Sequence, residues 1–366
     1  MPGMARPDDR PLRRLPQLAS AKATLERCVF CPKLCRSACP VSNAEPKETL
    51  TPWGKMSMAY FVANESVPLD ASHAAPAWAC TGCFGCREQC DHENDVTGTL
   101  YATRSAIVAT DRTAAPEAAL RVIDRFVERP FGHLRDDPRI MAHVDDRAGI
   151  AVLVGCAHER DVAIDMVRAV AGLTEAKVAL VDTCCGAPLL YAGDKEGFAA
   201  QGRKLSAAIA DRDKVIVADA GCAAAMKLHH TQTFAPIVEH FVELAAHEVV
   251  RLGRLDLGPV RWHDPCQLGR GLGLYEAPRQ ILSRVLGRSP HEFPRRREDA
   301  RCSGGGGLLP VTMPEVARTM AAARTAENEE AGGGTIITAC ASSARSFARS
   351  GAKVLDLATV VARALP

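Results

Sequence analysis

Two adjacent cysteines, Cys184 and Cys185, end the apolar run Val178-Ala-Leu-Val-Asp-Thr and stand directly before Gly186. Adjacent thiols make a poor core and an awkward pair for one disulfide. They suit a polynuclear metal centre, which takes several thiolates at once. Cys156 closes a second apolar run, Ile150-Ala-Val-Leu-Val-Gly, and Cys222 follows a third, Val215-Ile-Val-Ala-Asp. As parallel strands, these runs would leave the four cysteines beyond their carboxyl ends, where open α/β sheets hold ligands. Cys156, Cys184, Cys185 and Cys222 are therefore expected to bind an iron–sulfur cluster.

Eight more cysteines fall in two N-terminal runs, Cys28-Val-Phe-Cys31-Pro-Lys-Leu-Cys35-Arg-Ser-Ala-Cys39-Pro40 and Cys80-Thr-Gly-Cys83-Phe-Gly-Cys86-Arg-Glu-Gln-Cys90. The second has the C-x2-C-x2-C-x3-C spacing of bacterial ferredoxins. The first has one extra residue before its third cysteine and keeps the proline after its fourth, whereas Asp91 replaces that proline in the second run. In two-cluster ferredoxins three close thiolates hold one cubane and the fourth cysteine reaches the other. That rule assigns Cys28, Cys31, Cys35 and Cys90 to one 4Fe-4S cluster, and Cys80, Cys83, Cys86 and Cys39 to the other. Structural zinc sites also use C-x2-C, but two complete four-cysteine runs favour clusters.

Composition narrows the class. The 366 residues hold 15 cysteines, an odd and clustered set, and no secretory apolar segment opens the chain. Metal in a reducing compartment is expected rather than a disulfide framework, hence a cytoplasmic protein. A net charge of +2 and 5% aromatic residues offer no nucleic-acid footprint. No window reaches the roughly 18 apolar residues of a membrane span, so membrane contact is expected only through a partner. No flavin, nicotinamide or hydrolase signature is present. Gly304–Gly307 lacks the Lys-Ser/Thr of a phosphate loop and reads as a tight turn that lets backbone approach a cluster.

The elements that must position these residues follow from periodicity. Residues 1–24, with Pro2, Pro7, Pro11 and Pro16, are expected as a flexible tail. Residues 25–110 form the two-cluster α-helical domain, and 111–148 a helical linker. From residue 149 strands and helices alternate, the pattern of a parallel α/β sheet. Ala163, Met166, Val167 and Val170 mark one helix, and Phe198, Leu205 and Ile209 another. The pattern then repeats: Cys266 takes the place of Cys156, Cys302-Ser303-Gly304 that of Cys184-Cys185-Gly186, and Cys340 that of Cys222. Cys222 lies 37 residues after Cys185, and Cys340 lies 37 after Ser303. The halves span 149–252 and 253–366, a tandem duplication.

These motifs, with Gly193-Asp194, His263-Asp-Pro-Cys-Gln-Leu-Gly-Arg270 and Tyr275-Glu-Ala-Pro-Arg279, resemble the CCG-domain iron–sulfur oxidoreductases from residue 25 to the C-terminus. That family includes the iron–sulfur subunits of glycolate oxidase and anaerobic glycerol-3-phosphate dehydrogenase, lactate-utilisation proteins and heterodisulfide reductases. The resemblance implies an N-terminal ferredoxin-like domain followed by two parallel-sheet CCG domains. It also implies a single Cys, Cys-Cys-Gly and C-x2-C in each half, a five-thiolate set that carries a non-cubane cluster in heterodisulfide reductases. This chain departs from that pattern, with Ala225 in the first half and Ser303 and Ser343 in the second. The second half is left with Cys266, Cys302 and Cys340, which together with His263 are candidates for zinc or a weakly held cluster.

The resemblance implies an electron-transfer subunit of a flavin-dependent 2-hydroxyacid dehydrogenase of glycolate or lactate type. Its partners would be a flavin-containing subunit and a quinone or other carrier. The alternatives are a heterodisulfide-reductase-like catalytic subunit and a metal-bearing scaffold without turnover. His92, beside Cys90, is expected to be exposed, and His229 and His230 to be solvated on a helix.

Overall fold

The structure, a computed structural model, describes residues 11–31, 34–230, 234 and 237–366. It divides into two compact units. The first holds the described residues through Arg125, together with Pro188–Lys195 and Gly307–Val316. The second holds Phe126–Ala187, Glu196–Gly306 and Ala317–Pro366.

The first unit is helical, organised by α1 (Lys22–Val29), α2 (Pro52–Ala63) and α3 (Val96–Thr110). Helix α2 starts where the Thr51 hydroxyl accepts the Gly54 N–H at 3.0 Å, with Pro52 in the first turn. Helix α3 starts where Asp95 accepts the Gly98 N–H at 2.9 Å. Met56, Tyr60, Val62, Leu100 and Ile107 pack with Trp78 into one core. Neither α2 nor α3 has a clear polar face, yet each buries a cation: Lys55 is 2% exposed and Arg104 0%.

Two boundary expectations change. Leu12, Leu15 and Leu18 are buried in this core, and a 3-10 turn at Pro16–Ala21 leads into α1, so 11–24 is no tail. A leucine every third residue supplies that apolar edge, and Pro11 and Pro16 suit an extended-to-3-10 path. Residues 1–10, the rest of the expected tail, lie outside the described residues. Nor is 111–148 a separate linker. Ala114, Ala115 and Ala119 complete the first core, whereas Phe131, Leu134, Ile140 and Val144 enter the second.

The second unit contains two four-stranded parallel sheets of identical order. Strands β1 (Ile150–Leu153), β2 (Ala179–Leu180), β3 (Lys214–Val217) and β4 (Ile237–His240) run β2-β1-β3-β4. Strands β5 (Val260–Trp262), β6 (His291–Glu292), β7 (Thr335–Thr338) and β8 (Val354–Asp356) run β6-β5-β7-β8. The duplication is thus present in the topology, and each order reverses at its first strand. Helix α4 (Arg160–Thr174) packs on α7 (Leu357–Ala364), and α5 (Phe241–His247) on α6 (Glu276–Leu286). Each half therefore covers the other in a reciprocal way. One core, including Val152, Val167, Ile216, Trp262, Ile281, Ile337 and Val360, runs through both. Among the described residues no helix is long and apolar enough to cross a membrane.

The loop after β5 is fixed by buried charge. Asp264 accepts from Trp262 Nε1 at 2.9 Å, from the Arg297 N–H at 2.8 Å, and from both Arg279 terminal nitrogens at 2.7 and 2.8 Å. Asp264 is 3% and Arg279 8% exposed. Removing one partner strands the other charge in the interior. Arg279→Ala is expected to cost about 3–5 kcal/mol in urea unfolding of the iron-loaded protein. Arg279→Lys should recover only part, because a point ammonium cannot reproduce the fork. An unchanged unfolding midpoint for the alanine variant would refute this role.

Candidate metal centres

In the first unit the two cysteine runs interlock. Cys39, Cys80, Cys83 and Cys86 line a single cavity together with Lys55, Thr81, Val96 and Thr97. Cys31, Cys35 and Cys90 lie within electrostatic range of Cys28. Cys39 thus shares a cavity with the triplet of the second run, and Cys90 lies near Cys28 and Cys35 of the first. The chain turns sharply between the triplet thiols, with Gly82 at φ +67° and Phe84 at φ +58°, both left-handed. That turn lets the Gly82 N–H reach Cys80 Sγ at 3.4 Å. Asn94 Nδ2 donates to Cys28 Sγ at 2.9 Å, and Lys55 Nζ donates to Cys39 Sγ at 3.3 Å.

Four of these thiols, Cys28, Cys35, Cys80 and Cys86, hold their protons in the metal-free chain. Burial pushes Cys28 up to about 12 against the Asn94 hydrogen bond, and burial with Cys90 and Cys31 pushes Cys35 to about 11. Burial also raises Cys80 and Cys86. Burial alone would lower Lys55, but Cys39, Cys80 and Cys86 outweigh it and raise it. Thiols grouped around a buried ammonium suit an anionic metal–thiolate group, whose binding expels the protons. No disulfide joins the cysteines among the described residues, and the residues present fit clusters.

In the first half of the second unit, the thiols of Cys156, Cys184, Cys185 and Cys222 form a continuous chain of contacts, with Cys185 Sγ to Cys222 Sγ at 3.2 Å. Cys156 is exposed as a residue, and the other three are buried. Cys156 follows β1 and Cys222 follows β3, so they flank the point where the strand order reverses. Asp219 accepts the N–H groups of Gly221 and Cys222 at 2.9 and 3.1 Å, starting the short helix that carries Cys222. Gly186, at φ +81°, turns the chain so that its N–H meets Cys184 Sγ at 3.4 Å. The hydrogen bond from Cys156 lowers Cys184, but Cys185 and burial prevail and its thiol rises to about 12. Cys185 lowers Cys222 in the same way, and burial carries it to about 12.

Sequence reasoning missed His230 here. It was expected to be solvated, but its ring stacks on Phe198 at 3.8 Å and its Nε2 donates to the Cys185 carbonyl at 2.8 Å. The signal was its place about two turns after Cys222, at the cap of the same helical run. His158 is a second such residue, between Asp219 and Asp356 at 3.6 and 3.8 Å. His92 is exposed.

The second half keeps the frame with different chemistry. The Gly304 N–H meets Cys302 Sγ at 3.4 Å, as Gly186 meets Cys184. Ser303 and Ser343, buried, hydrogen-bond to each other at 2.9 Å. Burial raises Cys340 to about 12, and Cys266 is half-buried. His263 is not brought to these thiols. Its ring lies edge-on to Phe293 and Phe347, and burial pulls its pKa well down. Among the described residues no three His, Cys, Asp or Glu side chains close on a single-ion geometry.

The raised thiols give a test by metal removal. Cys28, Cys35, Cys184 and Cys222 sit at about 11 to 12 when folded, against an ordinary 9.0. Between those values the unfolded chain binds fewer protons than the folded one. Their stabilisation is therefore full below pH about 9 and is lost as pH rises toward about 12. Iron-free protein should lose thermal stability over that window more steeply than iron-loaded protein, whose thiolates are already deprotonated. Equal slopes for the two forms would contradict the assignment.

Comparison with known proteins agrees with this geometry. Residues 150–227 and 260–344 match the Cysteine-rich domain (CCG), and residues 24–94 match the 4Fe-4S dicluster domain. The chain is 24% identical over 396 residues to a dihydromethanophenazine:CoB–CoM heterodisulfide reductase subunit from Methanosarcina barkeri, covering 93% of this chain and 94% of that protein. It is 25% identical over 334 residues to a fumarate reductase (CoM/CoB) subunit from Methanothermobacter marburgensis, covering 86% of this chain and 66% of that one. Lactate utilization protein A 2 of Bacillus cereus is 27% identical over 154 residues, 38% of this chain and 62% of its own. With its 4Fe-4S dicluster domain ahead of two cysteine-rich domains, the chain belongs to the CCG-domain iron–sulfur oxidoreductases.

Proposed function

We propose that this chain is the electron-transfer subunit of a complex whose partner is a flavin-containing dehydrogenase of a 2-hydroxy acid such as glycolate or lactate. The acceptor is a quinone or another carrier, and any membrane contact runs through that complex. Cys28, Cys31, Cys35 and Cys90 hold one 4Fe-4S cluster, and Cys39, Cys80, Cys83 and Cys86 hold the second. Cys156, Cys184, Cys185 and Cys222 hold a third iron–sulfur group. Such groups, when bound, supply one-electron transfer. The protein's own residues bury the thiolates, exclude water and fix the turns around them.

The observation that carries this reading is the contrast between halves. Four thiols touch in series in the first half, whereas in the second a serine pair closes on itself at 2.9 Å. Serine oxygen is harder and ionises less readily than thiolate, so the second half is a poor iron–sulfur site. That contrast favours electron transfer over cleavage of a disulfide at a five-thiolate centre. The similarity to the heterodisulfide reductase protein along 94% of its length keeps disulfide reduction as the second reading.

Two experiments decide. Cys184→Ser should remove iron and stop electron flow, while Cys340→Ser should leave most of both. Equal losses, with the spectrum of a non-cubane centre, would favour disulfide reduction. The purified, flavin-free chain should not oxidise lactate or glycolate with an artificial acceptor, but should be reduced by its reduced flavoprotein partner. Turnover by the chain alone would sink the subunit reading.

A further inference from the structure

We infer that Lys55 and Arg104 form a cationic seat that gives the Cys39, Cys80, Cys83 and Cys86 group a higher reduction potential than the Cys28, Cys31, Cys35 and Cys90 group. The inference rests on the ligand reading proposed above and goes beyond it by ordering the two clusters.

The two cations lie on neighbouring helices of the first unit, and both are fully buried. Lys55 Nζ meets Cys39 Sγ at 3.3 Å and lines the cavity of the second cysteine group. Arg104 donates only to backbone carbonyls: Ala77 at 2.9 Å, Cys80 at 2.8 Å, Tyr191 at 2.8 Å and Gly307 at 3.1 Å. Among the described residues, no carboxylate pairs with either cation. Burying an ammonium or a guanidinium without a counter-charge is strongly unfavourable. Carbonyl dipoles satisfy the Arg104 hydrogen bonds and the Tyr101 ring lies 5.0 Å from its guanidinium, but none of these carries a net counter-charge. The anionic partner that both cations approach is the thiolate set, with whatever metal group those thiolates hold.

The first cysteine group is built differently. Its buried sulfur, Cys28, accepts from a neutral amide, Asn94 Nδ2, at 2.9 Å. Asn94 is held in turn by the Thr24 carbonyl at 2.9 Å and by Arg27 Nη1 at 3.2 Å. Arg27 is exposed, so solvent screens its charge, and it reaches the sulfur only through the amide.

The difference acts on electron affinity. A 4Fe-4S group with four thiolates is a dianion when oxidised and a trianion after gaining one electron from a low-potential donor. No bond breaks, and one unit of negative charge is added. Lys55 and Arg104, fixed in a low-dielectric interior, stabilise the trianion more than the dianion. The Asn94 amide does so far less, because it carries no net charge. An electron entering this unit therefore settles on the second group, which becomes the point of onward transfer.

The test is an EPR-monitored dithionite titration of the full, anaerobically purified chain, with iron counted on the same samples. Wild type should show two resolved one-electron steps. Lys55→Gln, which keeps a donor but drops the charge, should lower only the upper step. At the wild-type upper midpoint the reduced-to-oxidised ratio should fall about tenfold or more, or about 59 mV for one electron. Lys55→Arg, which keeps the charge, should restore most of it. An upper step that stays put in Lys55→Gln at full iron content, or both steps moving together, overturns the inference. A single unresolved step in wild type also overturns it, whether or not the glutamine variant takes up iron. Absence of iron from Cys28–Cys90 in wild type would instead defeat the ligand reading itself.

Discussion

Crowding of ionisable sulfur is the constraint on which the rest of this structure depends. Thiols brought together away from water resist ionisation, because each thiolate is desolvated and repelled by its neighbours. A fold that groups them anyway must offer something positive, and this one does so in two ways. It buries Lys55 and Arg104 in helices without a clear polar face. It also aims backbone N–H groups at sulfur. Gly82 meets Cys80, Gly186 meets Cys184 and Gly304 meets Cys302, each at 3.4 Å and each from two residues further along. In all three the glycine has positive φ, the conformation that an L side chain resists. The same local device recurs in a ferredoxin-type loop and in both halves of an α/β duplication, so it answers the chemistry of the thiolate rather than the fold around it.

The duplication shows what a sheet topology preserves and what it leaves free. Both halves run their four parallel strands in the same order, and each lends its flanking helices to the other. Packing ties the copies together, since one core runs through both. The site residues are under no such constraint, because they sit on loops beyond the strand ends. Two cysteine positions of the second half hold Ser303 and Ser343, and the serines satisfy each other without disturbing the strands around them. Between the halves, His158 lies beside Asp219 of its own half and Asp356 of the other. The Asp219 carboxylate also accepts the Ala341 N–H at 3.3 Å, next to Cys340. The cluster side of the first half is thereby braced by the second.

Much of this was legible in the sequence, because cysteine spacing and apolar periodicity are local signals. The 37-residue step from Cys185 to Cys222 and from Ser303 to Cys340 already implied a duplication, and the two sheets share one strand order. What escaped was set by partners distant in sequence. Leu12, Leu15 and Leu18 read as a tail because nothing near them names the core they enter. The segment 111–125 read as a linker because its small alanines carry little periodic signal. His230 looked solvated because its partners, Phe198 and the Cys185 carbonyl, lie 32 and 45 residues away. One signal was available and went unread: a single lysine in Pro52–Ala63 and a single arginine in Val96–Thr110, both in helices with no polar face to receive them.

The glycine run of the second half shows why a copy with a depleted thiol set still keeps its loops. Gly304 and Gly305 serve the local turn, where a Cβ would meet the Ala317 carbonyl at 2.8 Å or the Ser342 carbonyl at 2.7 Å. Gly307 serves the first unit instead. A Cβ there would stand 2.2 Å from the Cys80 carbonyl, and the Gly307 carbonyl accepts from Arg104 at 3.1 Å. The first half has a counterpart in Gly193, where a Cβ would stand 2.8 Å from the Arg104 carbonyl, two residues beyond the Tyr191 carbonyl that Arg104 also binds. Two glycine-bearing segments of the first unit, Pro188–Lys195 and Gly307–Val316, thus meet at the same buried arginine. Losing thiols from the second half removes nothing from this arrangement, whereas a side chain at Gly307 would push apart Arg104 and the loop of Cys80. The constraint on that glycine comes from the ferredoxin-type centre, not from any metal in its own half.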